Sequence, residues 1–154
     1  MAASADTVPP PLRLMAVDRE DLEILSTSMQ DAIVRVADMT FVPGQKRFAL
    51  LGCRFDWLAA AEGRVERARA GLHFDYVTKA TRSGFDQHKG DTVLNLLGIV
   101  FEETEAPGGT VELVFSANAA IRLEVECIDA QLRDLGDRWQ ARGKPGHPGC
   151  GDSD

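Results

Sequence analysis

"AIRLEVECIDAQLRDLGDRW" (residues 120–139) changes its period partway along. Ile121, Leu123, Val125 and Cys127 alternate with Arg122, Glu124 and Glu126, as in a strand with one apolar face. Ile128, Leu132, Leu135 and Trp139 then fall at i, i+4, i+7 and i+11, a single helical stripe. The spacing predicts a strand that hands over to a closing amphipathic helix anchored by Trp139, with Cys127 at the joint. A cysteine pointing where Val125 points meets apolar surroundings, which raise a thiol's pKa, and the flanking carboxylates discourage the thiolate further. Cys127 therefore reads as structural rather than reactive.

Working upstream, the texture is mostly that of strands. "LRLMAV" (12–17) reads as a short strand, and Asp18 as the N-cap of a helix that carries Leu22, Leu25, Met29 and Ala32 to about residue 31. "AIVRVADMTFV" alternates up to the turn at Pro43-Gly44, and "KRFALLGCRFDW" resumes with a phase slip near Gly52 that suggests a bulge or bend. "LAAAEGRVERA" (58–68) is ambiguous between a helical turn and a loop. Two strand patterns follow, with a break near Asp75-Tyr76, and then the polar loop "FDQHKGD". "TVLNLLGIVFEE" is apolar on both sides around Leu96 and Leu97, which predicts a covered central strand. "APGG" reads as a hairpin turn, and "TVELVFSA" alternates Val111, Leu113 and Phe115.

This order predicts an α+β fold. It looks like a seven-stranded antiparallel pleckstrin-homology-like barrel or sandwich, closed by the C-terminal helix, with an N-terminal strand and helix added. Residues 1–11, small, polar and rich in proline, read as a disordered segment, 12–142 as one globular domain, and 143–154 as a flexible Gly/Pro tail. His147 and Cys150 in that tail are two ligands, short of the usual four for structural zinc.

Composition narrows the function classes. A net charge of −7 argues against a nucleic-acid or anionic-membrane partner, and no apolar run is long enough to span a bilayer. The start lacks the basic and apolar regions of a signal peptide, and the three cysteines form no CxxC pair, which together suit a reducing cytoplasm. The charge is uneven. Residues 44–89 carry nine Lys/Arg against five Asp/Glu, whereas the flanking segments are acidic. Within that stretch Arg64, Arg67 and Arg69 sit where strand and helix signals are weak; they read as a solvated basic face or, if the segment is an exposed loop, as a cationic patch that would attract an acidic partner.

Chemical motifs are sparse. GxSxG, P-loop, HExxH and strand-to-helix GxGxxG patterns are missing. His73 and Asp75 share one side of a strand and could form an imidazole–carboxylate pair, while Asp86, His88 and Asp91 offer ligands on a loop whose shape the sequence leaves open. Arg54, Asp56 and Trp57 place an aromatic beside charges, with Trp57 expected in the core. These patterns assign no catalytic, cofactor or metal residues. They favour a non-enzymatic cytoplasmic protein- or peptide-binding module with an acidic partner. The alternative is a small-molecule-binding protein or enzyme using the His73–Asp75 face.

The phrases "RFDW" (54–57), "LHFDYV" (72–77), "EAPGGTVELVF" (105–115) and "IRLEVECIDAQLRDLG" (121–136) resemble the DUF2948 family, a mainly alphaproteobacterial group without an assigned activity. The resemblance implies a bacterial cytoplasmic protein and carries no functional residue with it.

Overall fold

Asp18 opens the first helix as its sequence predicts. Its Oδ1 accepts the Asp21 N–H at 2.8 Å, and Asp21 Oδ2 accepts the Val17 N–H at 3.2 Å, so two orphan donors at the helix start are satisfied reciprocally. Helix α1 (Arg19–Met29) buries Leu22, Leu25 and Met29. The computed structural model describes residues 11–140, in which α1 and a short helix α2 (Trp57–Ala61) accompany nine strands. These are β1 (Arg13–Ala16), β2 (Ala32–Val42), β3 (Arg47–Phe55), β4 (Glu66–Asp75), β5 (Val77–Ser83), β6 (Val93–Glu103), β7 (Gly109–Phe115), β8 (Ala120–Val125) and β9 (Ala130–Gln140). The expected disordered start and flexible tail, with His147 and Cys150, lie outside the described residues, as does the side chain of Trp139.

All nine strands belong to one antiparallel sheet in the order β1-β9-β4-β3-β2-β6-β7-β8-β5. The bend comes at β2. Its first residues pair with both β3 and β6, and the β2–β3 register shifts between Val34 and Met39, opposite Gly52 and Leu50. The sequence slip near Gly52 thus marks a true irregularity, located on the partner strand. Beyond Leu96, β6 loses β2 as a neighbour, and α1 covers it instead: the Ile99 N–H donates to Ser26 Oγ at 2.9 Å. One core joins Phe48, Leu50, Leu72 and Phe74 from one half of the sheet to Leu96, Leu113, Phe115, Ile121 and Leu123 from the other, with α1 between.

The fold differs from the barrel expected. Eight strands follow α1 where seven were expected, β1 joins them in one open sheet, and residues 130–140 form β9 instead of a closing helix. The cause is visible in β9 itself. Ala130, Leu132 and Asp134 face inward by period two, between exposed Gln131 and Arg133. Two of those inward positions hold a small residue and a charged one, so the strand face is invisible to a count of large apolar residues. Leu135, third in the apparent helical stripe, lies on the outer face over Gly71, where an added Cβ would sit 3.2 Å from its Cδ1. Cys127 is still a joint, but between two strands.

Two smaller expectations also change. Strand β6 is covered on one face only, since Leu97 and Val100 are exposed. Trp57 is 41% exposed and not core; its ring meets Phe55 edge-on at 4.6 Å, and its Nε1 donates to the Gln30 carbonyl at 3.4 Å.

Candidate functional site

Strands β1, β9, β4 and β3 lie side by side, and their outward residues form rows. Ala49, His73, Gln131 and Met15 make one row; Leu51, Gly71, Arg133 and Arg13 make the next. Glycine at position 71 leaves a dent between the larger side chains. A cleft of about 250 Å³ results, floored by Ala49, Leu51 and Leu135 and rimmed by His73, Gln131 and Arg133.

Of the five residues singled out in the sequence, four lie on this face. Arg67, Arg69, His73 and Asp75 belong to β4 and point outward at period two. The segment of the arginines is therefore mostly strand and not an exposed loop, since β4 begins at Glu66. Arg64 precedes the strand, and its guanidinium is already held by Glu62 at 2.5 Å and Glu66 at 2.7 Å. The hydrogen bond it donates to Glu62 is the main reason its pKa is raised. Arg67 lies over the Phe55 ring and donates to the Asp31 and Cys53 carbonyls. Arg69 differs from both: its Nε is buried and takes no hydrogen bond.

His73 and Asp75 do meet, with Nε2 and Oδ2 at 3.6 Å, too long for a hydrogen bond. Asp75 is engaged by Arg47, whose Nε and Nη2 reach its two oxygens at 2.7 and 3.3 Å. That hydrogen bond is the largest cause of the raised Arg47 pKa. Burial first, then the Arg47 charge, push the His73 pKa below the ordinary histidine value, against the opposite pull of Asp75 and Asp129. The imidazole is thus held toward its neutral form. The carboxylate beside it orients an arginine.

The face is electrically polar. Asp75 and Asp129 lie at one end with Arg47, whereas Arg13, Arg69 and Arg133 occupy the other. Arg13, Arg47, Gln131 and Arg133 were missed by sequence reading. For the two β9 residues, period two would have found them had Asp134 been accepted as an inward position.

The remaining candidates lie elsewhere. Asp86 caps its own loop by accepting the His88 N–H at 2.9 Å. Among the described residues no three His, Cys, Asp or Glu side chains converge to hold a metal ion. Arg54 and Asp56 are buried, not displayed: Arg54 pairs with Asp134, and Asp56 Oδ1 caps α2 through the Ala59 N–H at 3.0 Å. The Cys127 thiol is pushed up by burial, then by Asp129 and Glu126, in the direction expected of an unreactive cysteine. Cys53 is wholly buried.

Among the described residues no helix is long and apolar enough to cross a membrane. No curated protein and no solved structure matches the chain. The family model that does match is described as a protein of unknown function, DUF2948, and it spans residues 12–147, so the chain belongs to that family.

Proposed function

We propose that the protein is a non-enzymatic binding module that takes an acidic protein or peptide on the outer face of β1, β9, β4 and β3. The observation that carries this reading is that Arg133 lines an apolar-floored cleft and, with Arg13, the cleft beside it, with Arg69 on neighbouring β4, on a chain whose net charge is −7. An acidic segment is drawn to that end of the face and repelled by most of the remaining surface, which favours one docking orientation. The apolar floor adds contact area that does not depend on salt.

The reading that uses His73 and Asp75 for chemistry has one supporting observation, their proximity. It is the weaker of the two, because both Asp75 oxygens are already engaged by Arg47. A base needs an orienting partner of its own. A cytoplasmic location is part of the proposal, rests on composition, and is tested by cell fractionation.

The experiment is fluorescence anisotropy with a labelled Glu-rich peptide. Binding should be measurable at low salt and should weaken as ionic strength rises past the point where the screening length falls to about 8 Å. Arg69→Gln should weaken it, with the fold unchanged by circular dichroism. Binding that ignores both salt and Arg69→Gln would show that the face does not recruit acidic partners.

A further inference from the structure

Arg13 and Arg133 stand directly opposite one another on β1 and β9, and both are exposed. The Asp134 N–H bonds the Leu12 carbonyl at 2.9 Å. By the alternation of an antiparallel ladder, the next pair, Arg13 and Arg133, is a non-hydrogen-bonded one. In such pairs the Cα atoms approach to about 4.5 Å and the side chains are closest. Like charges at such positions destabilise a sheet. Neither arginine has an ion-pair partner among the described residues. Asp129, which precedes β9, lies four residues from Arg133, roughly 13 Å along an extended strand.

The surroundings are shaped as well as charged. A second cleft of about 350 Å³, lined by Arg13, Leu14, Met15, Gln131, Leu132 and Arg133, adjoins the dent over Gly71. The two clefts share Gln131 and Arg133, so one extended ligand can run from β1 across β9 to β4.

We propose that Arg13 and Arg133 form a clamp for a single phosphomonoester dianion, carried by a phosphorylated side chain of an acidic peptide. This rests on the acidic-partner reading and names the group that partner presents. The charge count points to a dianion. A phosphomonoester brings about two negative charges on three oxygens to the two guanidinium charges, whereas a carboxylate brings one charge on two oxygens. Charge also selects the source. A membrane or a nucleic acid would bring a field of phosphates to a chain of net charge −7, but a peptide brings one phosphate to the cationic end. Gln131, two residues before Arg133 on the same face, supplies a neutral donor beside the clamp.

The test uses the full chain and two labelled Glu-rich peptides that differ only in one central phosphoserine. The phosphorylated peptide should bind about tenfold tighter or better, as two charge-assisted contacts imply. R13S/R133S should weaken both peptides and abolish that preference, so that the variant binds the phosphorylated and unphosphorylated peptides within about threefold of one another. The same variant should melt no lower than the parent, because it relieves a like-charge pair. Equal binding of the two peptides by the parent overturns the clamp and leaves the acidic-partner reading standing. Failure of both peptides to bind overturns both. A phosphate preference that survives R13S/R133S, or a clear loss of stability in it, overturns the clamp by placing the phosphate elsewhere or by making the arginines structural. Tighter binding to anionic phospholipid vesicles than to the phosphopeptide overturns the peptide assignment.

Discussion

Two arginine–aspartate pairs cross this sheet with nearly the same geometry and opposite surroundings. Arg54 meets Asp134 through Nε–Oδ1 at 2.8 Å and Nη2–Oδ2 at 2.9 Å, with side chains 5% and 1% exposed. Arg47 meets Asp75 through the corresponding atoms at 2.7 and 3.3 Å, with side chains 44% and 22% exposed. Contact distances do not separate them; water does. The outer pair can exchange its partner for solvent at little cost. The inner pair cannot, and Asp134 Oδ2 also accepts the Leu12 N–H at 2.9 Å, which ties β1 to β9 and β3. The inner pair therefore specifies an arrangement of strands, while the outer one tunes a surface.

The largest expected effect lies at the inner pair. Asp134→Ala should cost about 3–5 kcal/mol in urea unfolding, because it strands a buried guanidinium. A loss below about 1 kcal/mol would mean that water reaches Arg54 and that the contrast fails. Arg54→Met combined with Asp134→Leu should recover most of that loss, since a well-packed apolar pair can match a buried ionic one. The Leu12 N–H, left without its acceptor, should hold back about 1–3 kcal/mol. Full recovery would indicate that Leu12 finds water.

At the outer pair, Asp75→Asn should cost no more than about 1 kcal/mol. Its clearer signature is electrostatic. Asp75 raises the His73 pKa and Arg47 lowers it, so an NMR titration should show His73 moving further down in Asp75→Asn and up in Arg47→Met. Shifts of the opposite sign would put the imidazole in a different environment.

The smallest effect is on stability against pH. The folded His73 pKa lies below the unfolded value of about 6.5, so the unfolded state takes up the proton first. This contribution should vanish above about 6.5, and should lower stability as pH falls from there toward the depressed folded value. His73→Gln should remove that part of the slope; an unchanged slope would assign it to other groups.

The same contrast explains what the sequence disclosed. Strand β8 was legible because Ile121, Leu123 and Val125 fill its inward positions with large apolar groups, all buried. In β9 the corresponding positions are Ala130, Leu132 and Asp134, and the last is buried only because Arg54, 80 residues away, neutralises it. A local pattern cannot report a partner at that distance. Helix α1, the turn between β6 and β7, and strands β7 and β8 were readable because their signals are local: a capping aspartate, a Pro-Gly turn, an alternating run. The candidate face was half legible. His73, Asp75, Arg67 and Arg69 follow from alternation along β4, but their company on β9 and β1 depends on strand order, which pairs residue 13 with residue 133.

That pairing has a consequence during synthesis. Of the strands described, β1 leaves the ribosome first and β9 last. Until Ala130–Asp134 emerges, β1 has no neighbour, the edge of β4 away from β3 is bare, and Arg54 has no carboxylate to meet. The nascent chain can assemble β6, β7, β8 and β5 from their mostly neighbouring segments, while the outer face of β1, β9, β4 and β3 waits for translation to pass residue 134. A chain stopped short of that point would leave the β4 edge unpaired and could not bring Arg133 beside Arg13.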